Sequence, residues 1–173
     1  GGLTTLLLFF THGATFVALK TDGVLRRDAQ KLAAKAGILT IIVAAAFLVW
    51  TVLAHFSIPV LLLAALAALL LIGSVLSNLR GREGIAFTFG AATVAAAVAT
   101  LFTALFPAVL PSTTDPAFSL TVANASSSQY TLEIMSWTAL IFMPLILLYQ
   151  AWTYWVFRKR VRRAAIEAVT EPV

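Results

Sequence analysis

His12 is the one titratable side chain deep within an apolar stretch of this 173-residue sequence, so chemistry is sought there first. An imidazole in that setting is a haem ligand, a proton relay or a polar packing group. Thr11 and Thr15 flank it, Gly13 follows directly, and Thr5 stands two turns earlier. On a helix these positions form a polar stripe that faces protein rather than lipid. A haem ligand usually needs a second axial group, and a relay needs further titratable partners. Between the ends of the apolar stretches there is no Asp, Glu, Lys or Arg to serve. The residues favour an imidazole hydrogen-bonded to a neighbouring helix, beside a glycine where backbones touch. His12 precedes Lys20 by eight residues, which places it about 12 Å from the membrane boundary.

The remaining polar residues offer less. His55 ends an apolar stretch, where a solvated, interfacial role is expected. Asp115 lies in a connection, and Glu133 opens a helix, where a carboxylate complements the helix dipole. Asn124-Ala125-Ser126 matches a glycosylation sequon, a three-residue pattern of low specificity. With no cysteine, disulfides, iron–sulfur clusters and thiolate zinc sites are excluded. No phosphate-cradling loop, His-Glu-x-x-His or Ser-His-Asp set is present. The expectation is no catalytic residue, no metal ligand and no identified cofactor-binding residue in this chain.

The elements that must position His12 follow from composition. The chain is 61% hydrophobic and 11% charged, with mean hydropathy +0.97, whereas a soluble domain carries about 25% charged residues. Its solvent must be lipid. A span needs about 20 apolar residues to cross a core of about 30 Å. Five segments qualify: 2–19, 37–56, 58–78, 85–106 and 133–157. The alternation of a membrane barrel is absent. The predicted fold is therefore all-α: a polytopic membrane protein whose five transmembrane helices form one bundle over 1–163, with an outer loop at 107–132 and a tail at 164–173. The sequence opens Gly-Gly-Leu, without methionine or a basic n-region, and reads as part of a longer chain rather than a signal peptide.

All twelve Lys and Arg residues fall on alternate connections. Lys20, Arg26, Arg27, Lys31 and Lys35 follow the first span, Arg80 and Arg82 the third, and "RKRVRR" (158–163) the fifth. By the positive-inside rule these connections and the C-terminus are cytoplasmic, and the first residues lie outside. The net charge of +5 is thus a topology signal, not a nucleic-acid footprint. Trp152, Tyr154 and Trp155 stand where an interfacial aromatic belt belongs. The fourth span, rich in Ala, Thr and Gly, is expected at the bundle centre, and the Leu-rich third is expected to face lipid on one side. Pro144 is expected to bend the fifth.

Three ordered blocks resemble subunit II of the cytochrome bd quinol oxidases. The first is "HGATFVALKTDGVLRRDA", with Gly13, Ala14, Thr21 and Gly23. The second is "FPAVLPSTTDPAFSLTVANASSSQYTLEIMSW", with Phe106, Pro107, Pro111, Ser112, Ser119 and Leu120. The third is "PLILLYQAWTYWVF", with Pro144, Tyr149, Trp152 and Tyr154. Similarity covers nearly the whole chain, though the second and third spans match in hydrophobicity alone.

The resemblance implies the second helical half of a two-half subunit. It implies a haem-free structural and assembly partner for subunit I, which holds the b and d haems and the quinol site. The complex so implied oxidises quinol, reduces oxygen to water and builds a proton gradient across a bacterial cell membrane. That picture leaves room for a structural quinone or lipid and for small single-span accessory subunits, and implies no nucleic acid. At the position of His12 some relatives have Gln, which favours packing over coordination. A second reading of the same spans is half of a small secondary transporter or permease.

Overall fold

The computed structural model describes residues 1–160; the expected tail at 164–173 lies outside the described residues. Five helices are long and apolar enough to cross a membrane. These are α1 (Gly2–Lys20), α2 (Gly23–Ala54), α3 (Ile58–Leu79), α4 (Glu83–Leu105) and α6 (Gln129–Val156). A short helix, α5 (Val122–Ala125), precedes the last of them. The protein is an all-α, multi-pass membrane protein. Its described residues divide into two compact units: Gly1–Ala104 together with Arg160, and Leu105–Lys159.

In the first unit one connection differs from expectation. Residues 20–36 are not a loop. Only Thr21 and Asp22 separate α1 from α2, and Asp22 caps α2 by accepting a hydrogen bond from the Gly23 amide at 2.9 Å. Gly23 adopts φ +69, a conformation that glycine takes without strain. The stretch "VLRRDAQKLAAKA" is made largely of good helix formers, so the helix begins well before the apolar run. With 32 residues, α2 is about 48 Å long and overshoots a core of about 30 Å at its basic end.

At the opposite end Ser57 caps α3 through the Val60 amide at 3.4 Å, with Pro59 in the first turn. The centre of the unit joins all four helices: Leu8, Ala44 and Leu71 are buried together, with Ile41 and Val94 packed against them. The buried faces of α3 and α4 both repeat every three or four residues: Val60, Ala64, Ala67 and Leu71 on one, Ala86, Gly90, Thr93 and Ala96 on the other. The Leu-rich third helix therefore contributes to the interior as α4 does.

The second unit opens with a small antiparallel hairpin. Strand β1 (Ala108–Leu110) pairs with β2 (Leu120–Thr121), Ala108 opposite Thr121 and Leu110 opposite Leu120. The expected outer loop at 107–132 is thus a folded connection. α6 starts at Gln129, capped by Ser128, and continues as α-helix through Pro144.

Candidate functional site

His12 faces α4. Its ring stacks on Phe87, with centroids 4.5 Å apart and planes inclined by 22°. On the same helix Gly90 comes so close that a Cβ there would stand 2.6 Å from His12 Nδ1. That nitrogen has no hydrogen-bond partner among the described residues. The ring thus meets α4 by stacking on Phe87, with Nδ1 turned toward Gly90. The glycine that makes room for the imidazole is Gly90, whereas Gly13 looks into open space.

Thr11 and Thr15 supply the polar interior beside it. Thr40 donates to the Ala36 carbonyl at 2.7 Å and accepts from Thr11 at 2.8 Å, which ties α1 to α2. Thr15 donates back to the Thr11 carbonyl at 2.9 Å. Ser74 of α3 donates to the Ala86 carbonyl of α4 at 2.8 Å. Each hydroxyl satisfies itself on backbone or on another hydroxyl, and the Thr11–Thr40 and Ser74–Ala86 bonds join neighbouring helices.

Replacing His12 with leucine is expected to remove the ring stack and lower stability by about 0.5–1.5 kcal/mol. Replacing Gly90 with alanine is expected to displace the imidazole. Both effects are read from thermal loss of monodisperse full-length protein in detergent. Equal stability of wild type and Gly90→Ala would contradict the close approach.

Nothing in the sequence motifs singles out Glu83. It sits in the "RGREG" turn among basic residues, yet its side chain is only 4% exposed. Arg26 of α2 donates to Oε1 from Nε at 2.7 Å and from Nη2 at 2.6 Å. Gln30, one turn later, donates to the same oxygen. Arg160 reaches Oε2 from Nη2 at 3.4 Å and the Thr21 carbonyl from Nη1 at 3.2 Å. One buried carboxylate thus gathers the start of α2, the start of α4 and the segment at Arg160. Its one sequence signal was being the lone acid in a basic turn.

The second-block residues build the hairpin connection. The Phe106–Pro107 peptide is cis, and the Pro107 carbonyl accepts from the Val122 amide at 3.0 Å. Ser119 Oγ accepts from the Ser112 amide at 3.0 Å, and Ser112 Oγ accepts from the amides of Thr114 and Asp115. Asn124 is committed to a capping box with Thr121 and donates to the Ser119 carbonyl at 3.2 Å. Pro111 follows β1 directly, and Leu120 lies in β2. In the third block Tyr149 and Trp152 are neighbouring rings, 6.4 Å between centroids, and both are exposed, as is Tyr154. His55 ends α2 and is exposed. Among the described residues no three His, Asp or Glu side chains gather in a metal-holding group.

The family model described as cytochrome bd terminal oxidase subunit II matches residues 1–157. The chain belongs to this family. Among its relatives, cytochrome bd ubiquinol oxidase subunit 2 of Bacillus subtilis is 36% identical over 172 aligned positions, covering 93% of this chain and 49% of that protein. Cytochrome bd-I ubiquinol oxidase subunit 2 of Escherichia coli K12 is 30% identical over 203 positions, covering 98% of this chain and 54% of that protein. The chain spans about half the length of the curated relatives it matches. In this subunit II family chain, then, the polar groups described above lie at helix contacts and at a basic helix end.

Proposed function

We propose that this chain is the second helical half of a haem-free assembly subunit in a bacterial bd-type terminal oxidase. The family match over residues 1–157 carries the reading. The complex oxidises quinol and reduces oxygen to water, drawing protons from the cytoplasmic side. The haems b and d and the quinol site belong to subunit I, and this chain serves as a non-catalytic subunit. Its basic helix ends face the cytoplasm, and its first residues lie outside. Lipids, a structural quinone and small single-span subunits are further partners.

What supports a scaffold role is how the polar groups are used. The interhelical hydroxyls are tied to one another or to carbonyls, His12 is stacked on Phe87, and Glu83 is held by arginines. The arginines on Glu83 stay protonated and cannot pass a proton on as a relay requires. The helices contribute shape: an apolar groove of about 300 Å³ between α2 and α3, lined by Leu48, Val52, Leu61 and Ala65, fits an acyl or isoprenoid chain.

Deleting the full-length gene is expected to abolish the d-type haem absorption of the membranes and their quinol-dependent oxygen consumption. Restoring it with His12→Gln is expected to return both near wild type. A haem-replete His12→Gln complex without turnover would make this residue part of the chemistry. Unchanged haem absorption on deletion, with lost uptake of a solute, would favour a permease instead.

A further inference from the structure

Asn78 is a second buried polar group that the scaffold role leaves unexplained. It is 5% exposed. Its amide Nδ2 donates to the Gln30 carbonyl at 3.1 Å. A carbonyl can only accept, so this contact fixes which way the amide points. Oδ1 is then left buried with no donor among the described residues. A buried acceptor of this kind calls for a hydrogen-bond donor from outside the protein.

The surroundings say what kind. Asn78 lines a cavity of about 220 Å³ with Gln30, Lys31, Ala34, Leu79 and Gly81. A single water needs only about 10–15 Å³ on this measure, so the space suits a larger polar group. Gly81 is at φ +70, which carries the chain tightly around the rim. Gln30 Nε2 is committed to Glu83, so the cation available to an occupant is Lys31, which forms no ion pair among the described residues. The occupant must present an anionic oxygen to Lys31 and a hydroxyl or ammonium hydrogen to Asn78 Oδ1.

Position in the membrane supplies the source. The cavity lies where α2 overshoots the hydrocarbon core, between that helix and the end of α3, at the basic side of the protein. Phospholipid headgroups occupy that level, and a surplus of lysine and arginine there attracts anionic ones. We propose that this cavity binds the headgroup of one phospholipid whose phosphate carries a neighbouring hydrogen-bond donor, as the glycerol hydroxyls of phosphatidylglycerol do. Lys31 holds the phosphate and Asn78 Oδ1 accepts from the hydroxyl. The site is independent of the oxidase reading, since it needs only the membrane.

The test uses the full-length protein with its co-purifying subunits, purified from membranes and washed in detergent, with retained lipid counted by mass spectrometry. Wild type is expected to keep a phosphatidylglycerol that exchanges slowly with phosphatidylcholine added in micelles. Lys31→Gln, an exposed change that leaves the fold intact, is expected to speed that loss about tenfold, the order of one charge-assisted hydrogen bond. Asn78→Leu is expected to do likewise, and Lys35→Gln, outside the cavity, to leave retention unchanged. Equal retention in wild type and Lys31→Gln would overturn the proposal. So would displacement by millimolar inorganic phosphate with glycerol, which would make free phosphate the occupant, or exchange with phosphatidylcholine as fast as the bulk lipid, which would leave water there.

Discussion

Replacing Arg26 with alanine is expected to lower stability by about 2–3 kcal/mol. The loss arises on the carboxylate. Glu83 is 3% exposed, and Arg26 donates to it from two nitrogens, at 2.7 and 2.6 Å. Without them a charge stays buried with Gln30 and a longer contact from Arg160 at 3.4 Å. A fully buried pair costs about 3–5 kcal/mol to break, but the Arg26 side chain is 34% exposed, so water reaches the pair and the figure is reduced.

Glu83→Gln is expected to cost less, about 1 kcal/mol, because the freed arginines are partly exposed and can turn to solvent. In the double variant Arg26→Ala/Glu83→Gln the two losses should not add; a coupling of about 1–2 kcal/mol is expected. Thermal loss of monodisperse full-length protein measures all three. Simple additivity would mean that the pair forms no linked unit.

The second large effect is expected at Gly37. A Cβ at that position would lie 2.7 Å from Val75 Cγ2 and 3.5 Å from Thr11 Cγ2. Val75 is buried and β-branched, so it cannot swing aside as a long side chain would. Gly37→Ala must instead push α2 away from α3, at a cost of about 1–3 kcal/mol. Gly37→Leu is expected to leave too little folded protein to purify. Val75→Ala combined with Gly37→Ala restores the space and is expected to recover part of the loss. If Gly37→Ala alone is as stable as wild type, the two helices do not meet there. A Cβ at Gly73 would likewise lie 2.9 Å from the Phe89 ring, but an aromatic ring can rotate and the expected cost is smaller.

Much of the fold was legible because lipid is an unforgiving solvent. A spanning helix must be apolar over its whole length, so each span announces itself within one window of sequence. The ends were less legible. Hydropathy reports what lies in lipid, whereas α2 keeps its helical hydrogen bonds beyond the membrane, through residues as polar as Arg26 and Lys31. The folded connection between Phe106 and Ser128 was visible as a motif block, but its pairing depended on contacts such as the Pro107 carbonyl to the Val122 amide.

Composition and order alone determined that this is an all-α membrane protein of five spans, with its cations on alternate connections and the three blocks of the subunit II family. Those features can be read along the chain, without knowing how one helix packs on another. Tertiary structure decided which polar residues matter. Glu83 and Arg26 are 57 positions apart, and Arg160 is 77 from Glu83; nothing near any of them foretells the meeting. Gly13 and Gly90 are the same residue in similar surroundings, yet one faces open space and the other presses on His12. Burial and partnership arise when distant helices pack, and a one-dimensional pattern does not hold the rotation of one helix against the next.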